Sequence, residues 1–281
     1  MPFEQSNETK AFRTKDYSGH GNDASSIVNA SWVSNEGFDG KGVYKFNGDG
    51  YITLDHPLIA NDDNFTIEAW IKTSHAGGQI YMEGSSSSIY PWYGFSVVEG
   101  KLNVYLRGNS GTVGVDILRV RSVEMVNDSI WHHVVFVRKA SNDAELYLDG
   151  NEVNYSIQEL YAPQYGDFNL ATIGAYRRYL TMNGDYFFNG YIDELRIYNI
   201  SLTPEQIKAL YNNRTDLIVS SETTIGDVWK ACVTPNDGIY DGNTNCSNDI
   251  TIKEKSKPEV SYIILNLSLI HISEPTRPRL I

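Results

Sequence analysis

Asp16-Tyr17-Ser18-Gly19-His20-Gly21-Asn22-Asp23 is dense in side-chain oxygens and turn formers. Its glycines let backbone carbonyls converge, and its carboxylates and amide supply hard donors. That chemistry suits Ca²⁺, which takes six to eight oxygen ligands; an ordinary polar loop has the same composition. A second group is aromatic. Tyr90-Pro91-Trp92-Tyr93 and Tyr176-Arg177-Arg178-Tyr179 fall in or near predicted loops, with Tyr186, Phe187 and Phe188 close behind. Such rings stack on pyranose faces and carry a polar handle, or else complete a core or an interface. Tyr90, Trp92, Tyr176, Arg177 and Tyr179 are the candidate ligand-binding residues.

Catalytic patterns are weaker. Retaining glycoside hydrolysis needs two carboxyl groups about 5 Å apart. Glu68 stands alone in its segment, and Asp193-Glu194 are adjacent, so on a strand they point to opposite faces. No Gly-x-Ser-x-Gly elbow and no phosphate-binding glycine loop occurs. His132 and His133 are neighbours, so at most one can enter a given site; one packed and one exposed is the expectation. No catalytic residue is assigned.

These groups need a scaffold, and the chain predicts β-structure. Trp131-His132-His133-Val134-Val135-Phe136-Val137-Arg138 is a β-prone apolar run. A turn-rich connection, Lys139 to Asp143, leads to Ala144-Glu145-Leu146-Tyr147-Leu148-Asp149-Gly150. The pair predicts an antiparallel hairpin, its first strand buried on both faces and its second on one. Further strands are predicted at Val43 to Phe46, Tyr51 to Leu54, Phe65 to Lys72, Ile80 to Glu83, Gly94 to Val98, Lys101 to Leu106, Val113 to Val120 and Leu170 to Ala175. One helix is signalled: Thr203 as N-cap, Pro204 in the first turn, Gln206 completing a capping box and Leu202 stapling onto Ile207. The fold class is therefore all-β: an antiparallel two-sheet jelly-roll sandwich with one short C-terminal helix and a small β extension.

Three stretches together resemble the laminin-G-like jelly rolls of the concanavalin-A-like superfamily: the Trp-His-His-Val hairpin, Phe65-Thr66-Ile67-Glu68-Ala69-Trp70-Ile71-Lys72, and Asn189-Gly190-Tyr191-Ile192-Asp193-Glu194-Leu195-Arg196-Ile197-Tyr198-Asn199. The likeness runs from about Asp16 to Asn213. It implies a last strand followed by a short helix. It also implies that Asp193 binds structural Ca²⁺, with Asp16 and Asn22 supplying partner oxygens. Hydrolases of that superfamily carry a Glu-x-Asp-x-x-Glu or Glu-x-Asp-x-Glu strand, and that spacing does not occur here.

The net charge of −12 argues against nucleic acid or an anionic membrane as the main partner. No run of eighteen apolar residues exists, so membrane insertion by a helix is not expected. Met1 to Lys10 lacks the basic start and apolar core of a signal peptide. Cys232 and Cys246 are the only cysteines, which leaves a disulfide or two free thiols. Nine Asn-x-Ser/Thr sequons, from Asn7 to Asn266, exceed the roughly three or four that chance supplies. The excess favours an exported, glycosylated chain and with it the Cys232–Cys246 disulfide.

Three segments are expected: residues 1–213 as the jelly roll, 214–257 as part of an immunoglobulin- or cadherin-like repeat that pairs with strands lost upstream, and 258–281 as a tail. Leu269 to Pro278 looks like translated adapter read-through, so the native sequence is expected to end before about Leu269. The function expected is recognition or adhesion at a cell surface, without catalysis. Glycans or glycoproteins are the ligands; a ligand-free structural spacer is the alternative, and a glycoside hydrolase ranks third.

Overall fold

The structure is a computed structural model. It describes residues 14–254 apart from 15, 17, 19, 60–61, 111–115, 164–165, 179–180, 183–185, 215–218, 220–221, 234 and 236–241. In chain order the strands are β1 (Ala24–Val33), β2 (Val43–Leu54), β3 (Phe65–Lys72), β4 (Gly77–Gly84), β5 (Trp92–Val98), β6 (Lys101–Arg107), β7 (Ile117–Met125), β8 (Trp131–Ala140), β9 (Asp143–Leu148) and β10 (Asn151–Glu152). They continue with β11 (Tyr155–Leu160), β12 (Leu170–Ile173), β13 (Arg177–Arg178), β14 (Thr181–Met182) and β15 (Asn189–Tyr198). Helix α1 (Pro204–Tyr211) follows, then β16 (Val228–Trp229), β17 (Cys232–Val233), β18 (Asn245–Cys246) and β19 (Ile250–Thr251).

One antiparallel ladder runs β10-β9-β8-β3-β15-β2-β12-β4-β5-β6-β7-β11, with β1 added against β2. It folds over on itself. Phe65 of β3 meets Tyr93 of β5 edge-on at 5.8 Å, and Phe136 of β8 lies 6.4 Å from Phe95. These contacts close two layers around one apolar core. The alternation that fills the core is that of a strand with one face inward: Phe65, Ile67, Ala69 and Ile71 from β3, and Tyr93, Phe95 and Val97 from β5.

Strand β2 is the corner shared by both layers. Its first half pairs with β15 and its last residues with β12. Asn47-Gly48-Asp49-Gly50 is therefore no turn between two strands, as expected, but an irregularity inside one long strand. A Cβ at Gly50 would come within 2.5 Å of the Asn29 carbonyl oxygen, so the bend requires glycine opposite the irregularity in the paired strand β1. Strands β1 and β11 escaped the sequence reading; both mix polar and apolar residues and remain largely half-buried or exposed.

The β8–β9 hairpin forms as expected, tighter in its turn. Val134 and Phe136 enter the main core; Val135 and Val137 pack on the other side against Leu202 and Ile207. Tyr147, expected on the open face of β9, is buried in that second cluster. The helix cap is the one predicted: the Thr203 hydroxyl accepts from the Gln206 N–H, and the Gln206 side chain accepts from the Thr203 N–H.

Beyond α1 the described residues form only two-residue ladders, β16 with β19 and β17 with β18. No immunoglobulin-like sandwich arises among the described residues. Residues 255–281, including the expected tail, lie outside the described residues.

Candidate functional site

The loop before β5 and the segment after β12 converge on one outer face of the second layer. Strand alternation sends Tyr93, Phe95 and Val97 into the core, so Trp92, Gly94 and Ser96 face the other way. On the neighbouring strand Tyr105 and Arg107 share that outer face, with Arg119 and Arg121 beyond them on β7. Trp92 meets Tyr105 at 5.1 Å and Tyr176 edge-on at 5.0 Å, and Tyr176 meets the exposed Tyr186 at 5.4 Å. The Arg107 guanidinium lies over the Tyr90 ring at 4.5 Å.

Four of the five sequence-predicted ligand residues therefore meet here. Tyr90, Trp92 and Arg177 are half-buried and Tyr176 is buried beneath them. The Arg177 backbone N–H lies against the Met82 sulfur of β4, which ties that segment to the same face. Tyr179 lies outside the described residues. The Trp92 indole N–H is buried and has no acceptor in the protein. An indole donor usually finds a partner when buried; this one has none in the protein. Gly94 keeps the floor beside it low: a Cβ there would come within 3.0 Å of the Trp92 ring.

Sequence reasoning missed Tyr105, Arg107 and Arg119. They sit mid-strand, where an aromatic or arginine reads as packing or a solvated face, and only the register places them beside Trp92.

The residues named for calcium lie in hydrogen-bonded settings. Asp16 accepts from the Ser18 N–H (2.8 Å), the Ser18 hydroxyl (2.7 Å) and the Asn22 N–H (2.9 Å). It organises its own loop, beside a cavity of about 830 Å³ that Asn22, His56 and Leu195 also line. Asp193 accepts from the Phe38 and Glu194 N–H groups, each at 2.9 Å. Burial pushes its carboxyl up to about 6, outweighing the bond from Phe38. Among the described residues no three His, Cys, Asp or Glu side chains gather closely enough to hold a metal.

The histidines depart from expectation: both are buried. His132 is held between Asp149 (2.9 Å) and Asp128 (3.1 Å), and its bond to Asp149 is the main cause of a raised pKa. His133 lies 3.4 Å from Glu68. Glu68 is not solitary either, because Arg196 donates to it at 2.5 Å and Tyr198 at 3.2 Å. This is a buried, paired network, with one carboxylate compensated by a guanidinium.

A family model described as the Concanavalin A-like lectin/glucanases superfamily, in its laminin-G branch, matches residues 46–208. The chain belongs to that superfamily. Solved structures with the same superfamily fold include the binding domain of Paraclostridial Mosquitocidal Protein 1, 15% identical with a TM-score of 0.55, over 83% of this chain and 57% of that one. The receptor binding domain of botulinum neurotoxin D is 13% identical with a TM-score of 0.52, over 75% of this chain and 52% of that one. The binding domain of botulinum neurotoxin DC, in complex with rat synaptotagmin II, is 16% identical with a TM-score of 0.52, over 76% and 51%. The chain thus spans little more than half the length of each. At these identities the likeness shows the fold, and the superfamily holds both lectins and glucanases.

Proposed function

We propose that this chain is a non-catalytic carbohydrate- or glycoprotein-binding module of an exported cell-surface protein. The observation that carries the reading is Trp92: a half-buried indole braced by Tyr105 and Tyr176 and joined on its outer face by Tyr90 and Arg107. A sugar ring stacks on such aromatic faces, and the tyrosine hydroxyls and guanidinium beside them can bond its hydroxyls. The scaffold beneath is rigid, so little is lost in ordering the site. The carboxylates favour binding over turnover. Glu68 is tied to Arg196, and Glu83 accepts from Leu58, Ile59 and Tyr81 in the interior.

Export is supported by the sequons and the thiols. Of the seven sequon asparagines among the described residues, Asn29, Asn64, Asn154, Asn199, Asn213 and Asn245 are exposed and Asn127 is half-buried. Cys232 and Cys246 are disulfide-bonded. Among the described residues no helix is long and apolar enough to cross a membrane.

A glycan array, followed by titration with Trp92→Ala and Tyr176→Ala, tests the reading. Binding that both variants weaken supports it; binding that neither changes refutes this surface. Calcium is decided by thermal unfolding: a rise in Tm that EDTA reverses and Asp193→Asn removes supports an ion, and an unchanged Tm refutes it.

A further inference from the structure

The outer face that carries Trp92 also carries concentrated positive charge. Arg119 lies over the Tyr105 ring at 5.6 Å, and Arg107 is shared between Tyr90 at 4.5 Å and Tyr105 at 5.9 Å. Arg121 follows on the same face of β7 and pairs with Glu99 at 3.0 Å. Burial first, and the neighbouring charge of Arg119 second, hold the Arg121 guanidinium below its usual pKa. Arg119 has no carboxylate within ion-pair distance among the described residues, although Glu159 is its register partner on β11. In a chain of net charge −12 such a face is unusual. A guanidinium held over a ring loses little freedom when it pairs, and its N–H fork matches a carboxylate or sulfate.

We infer that this face selects anionic glycans, with Arg119 and Arg107 pairing the carboxylate or sulfate of a sugar whose ring stacks beside Trp92. The inference rests on the assignment of the Trp92 face as a glycan site, and it adds the substrate class. The stacked arginines are specificity determinants, whereas Trp92 serves any sugar ring. Pairing at a partly exposed surface is screened by salt, so the selectivity is salt-dependent and the stacking is not.

Two matched pairs of probes test it: oligogalacturonate against its methyl ester, and heparin oligosaccharide against its desulfated form. Each is titrated by calorimetry against the full chain. The charged member of at least one pair should bind about tenfold or more tightly than its neutral counterpart. Arg119→Gln should collapse that preference with Tm unchanged, and Trp92→Ala should weaken both members. Which pair responds distinguishes carboxylate from sulfate. Equal affinity within both pairs, or a preference that survives Arg119→Gln, overturns the anionic assignment and leaves the glycan reading standing. Absence of binding by all four probes and by every glycan on the array overturns both.

Discussion

Trp92 and Tyr176 meet edge to face, ring centroids 5.0 Å apart and planes at 89°, though one opens β5 and the other follows β12. The contact joins two chain segments into a single aromatic corner with Tyr105 and Tyr186 around it. Stacking of this kind is worth about 1 kcal/mol beyond area burial. Trp92→Ala should therefore weaken glycan binding by about five- to tenfold, read by calorimetry. Tyr51→Ala, away on β2, is the matched control and should change nothing.

Arg196 and Glu68 form a pair in which one partner is almost completely buried. Removing only the guanidinium, by Arg196→Met, leaves a buried carboxylate with less compensation and should cost about 3–5 kcal/mol. The double variant Glu68→Leu/Arg196→Met should cost clearly less than the single one. Urea unfolding of the four proteins of the cycle reads the coupling; additive losses would show that the pair does not act as a unit.

Glu83 is buried beside Tyr81, and burial pushes its carboxyl up to about 7 despite three donors. The folded state thus holds this proton more tightly than the unfolded chain. Its contribution is most favourable below the unfolded pKa and is lost as pH rises towards 7. Asp193, pushed up to about 6, acts in the same direction over a lower window. Glu83→Gln should flatten the fall in Tm between roughly pH 4.5 and 7, a change on the order of 3 kcal/mol at neutral pH.

His132 works the other way. Its raised pKa means that the imidazolium is stabilised in the fold, chiefly by Asp149. That stability is fully present below pH ~6.5 and disappears as pH rises through the folded pKa. In a pH series of Tm values the gap between wild type and His132→Gln should be widest in acid and narrow at alkaline pH.

Cys232 and Cys246 face each other across β17 and β18, both exposed. Their closed loop is short, so the bond constrains the segment after α1 rather than the core of the jelly roll. Reduction by dithiothreitol should open that segment to proteolysis and leave the main unfolding transition unmoved.

Much of the fold was written locally in the chain. The Val134–Val137 run, the Thr203-Pro204-Glu205-Gln206 cap and the alternation Phe65, Ile67, Ala69, Ile71 state strand, helix and inward face, because period and capping depend on near neighbours. The aromatic candidates Tyr90, Trp92 and Tyr176, with Arg177 beside them, were legible by type. Register was not. Whether Asn47 to Gly50 is a turn or a corner depends on β1 pairing along both halves of β2. Whether Glu68 is solitary depends on β15, which arrives more than a hundred residues later with Arg196. Tyr105 and Arg119 gained meaning only when β6 and β7 placed them beside Trp92. Side-chain type and short-range period are properties of the chain itself, whereas the distances that turn rings and guanidinium groups into one surface come from long-range strand pairing, which no local stretch encodes.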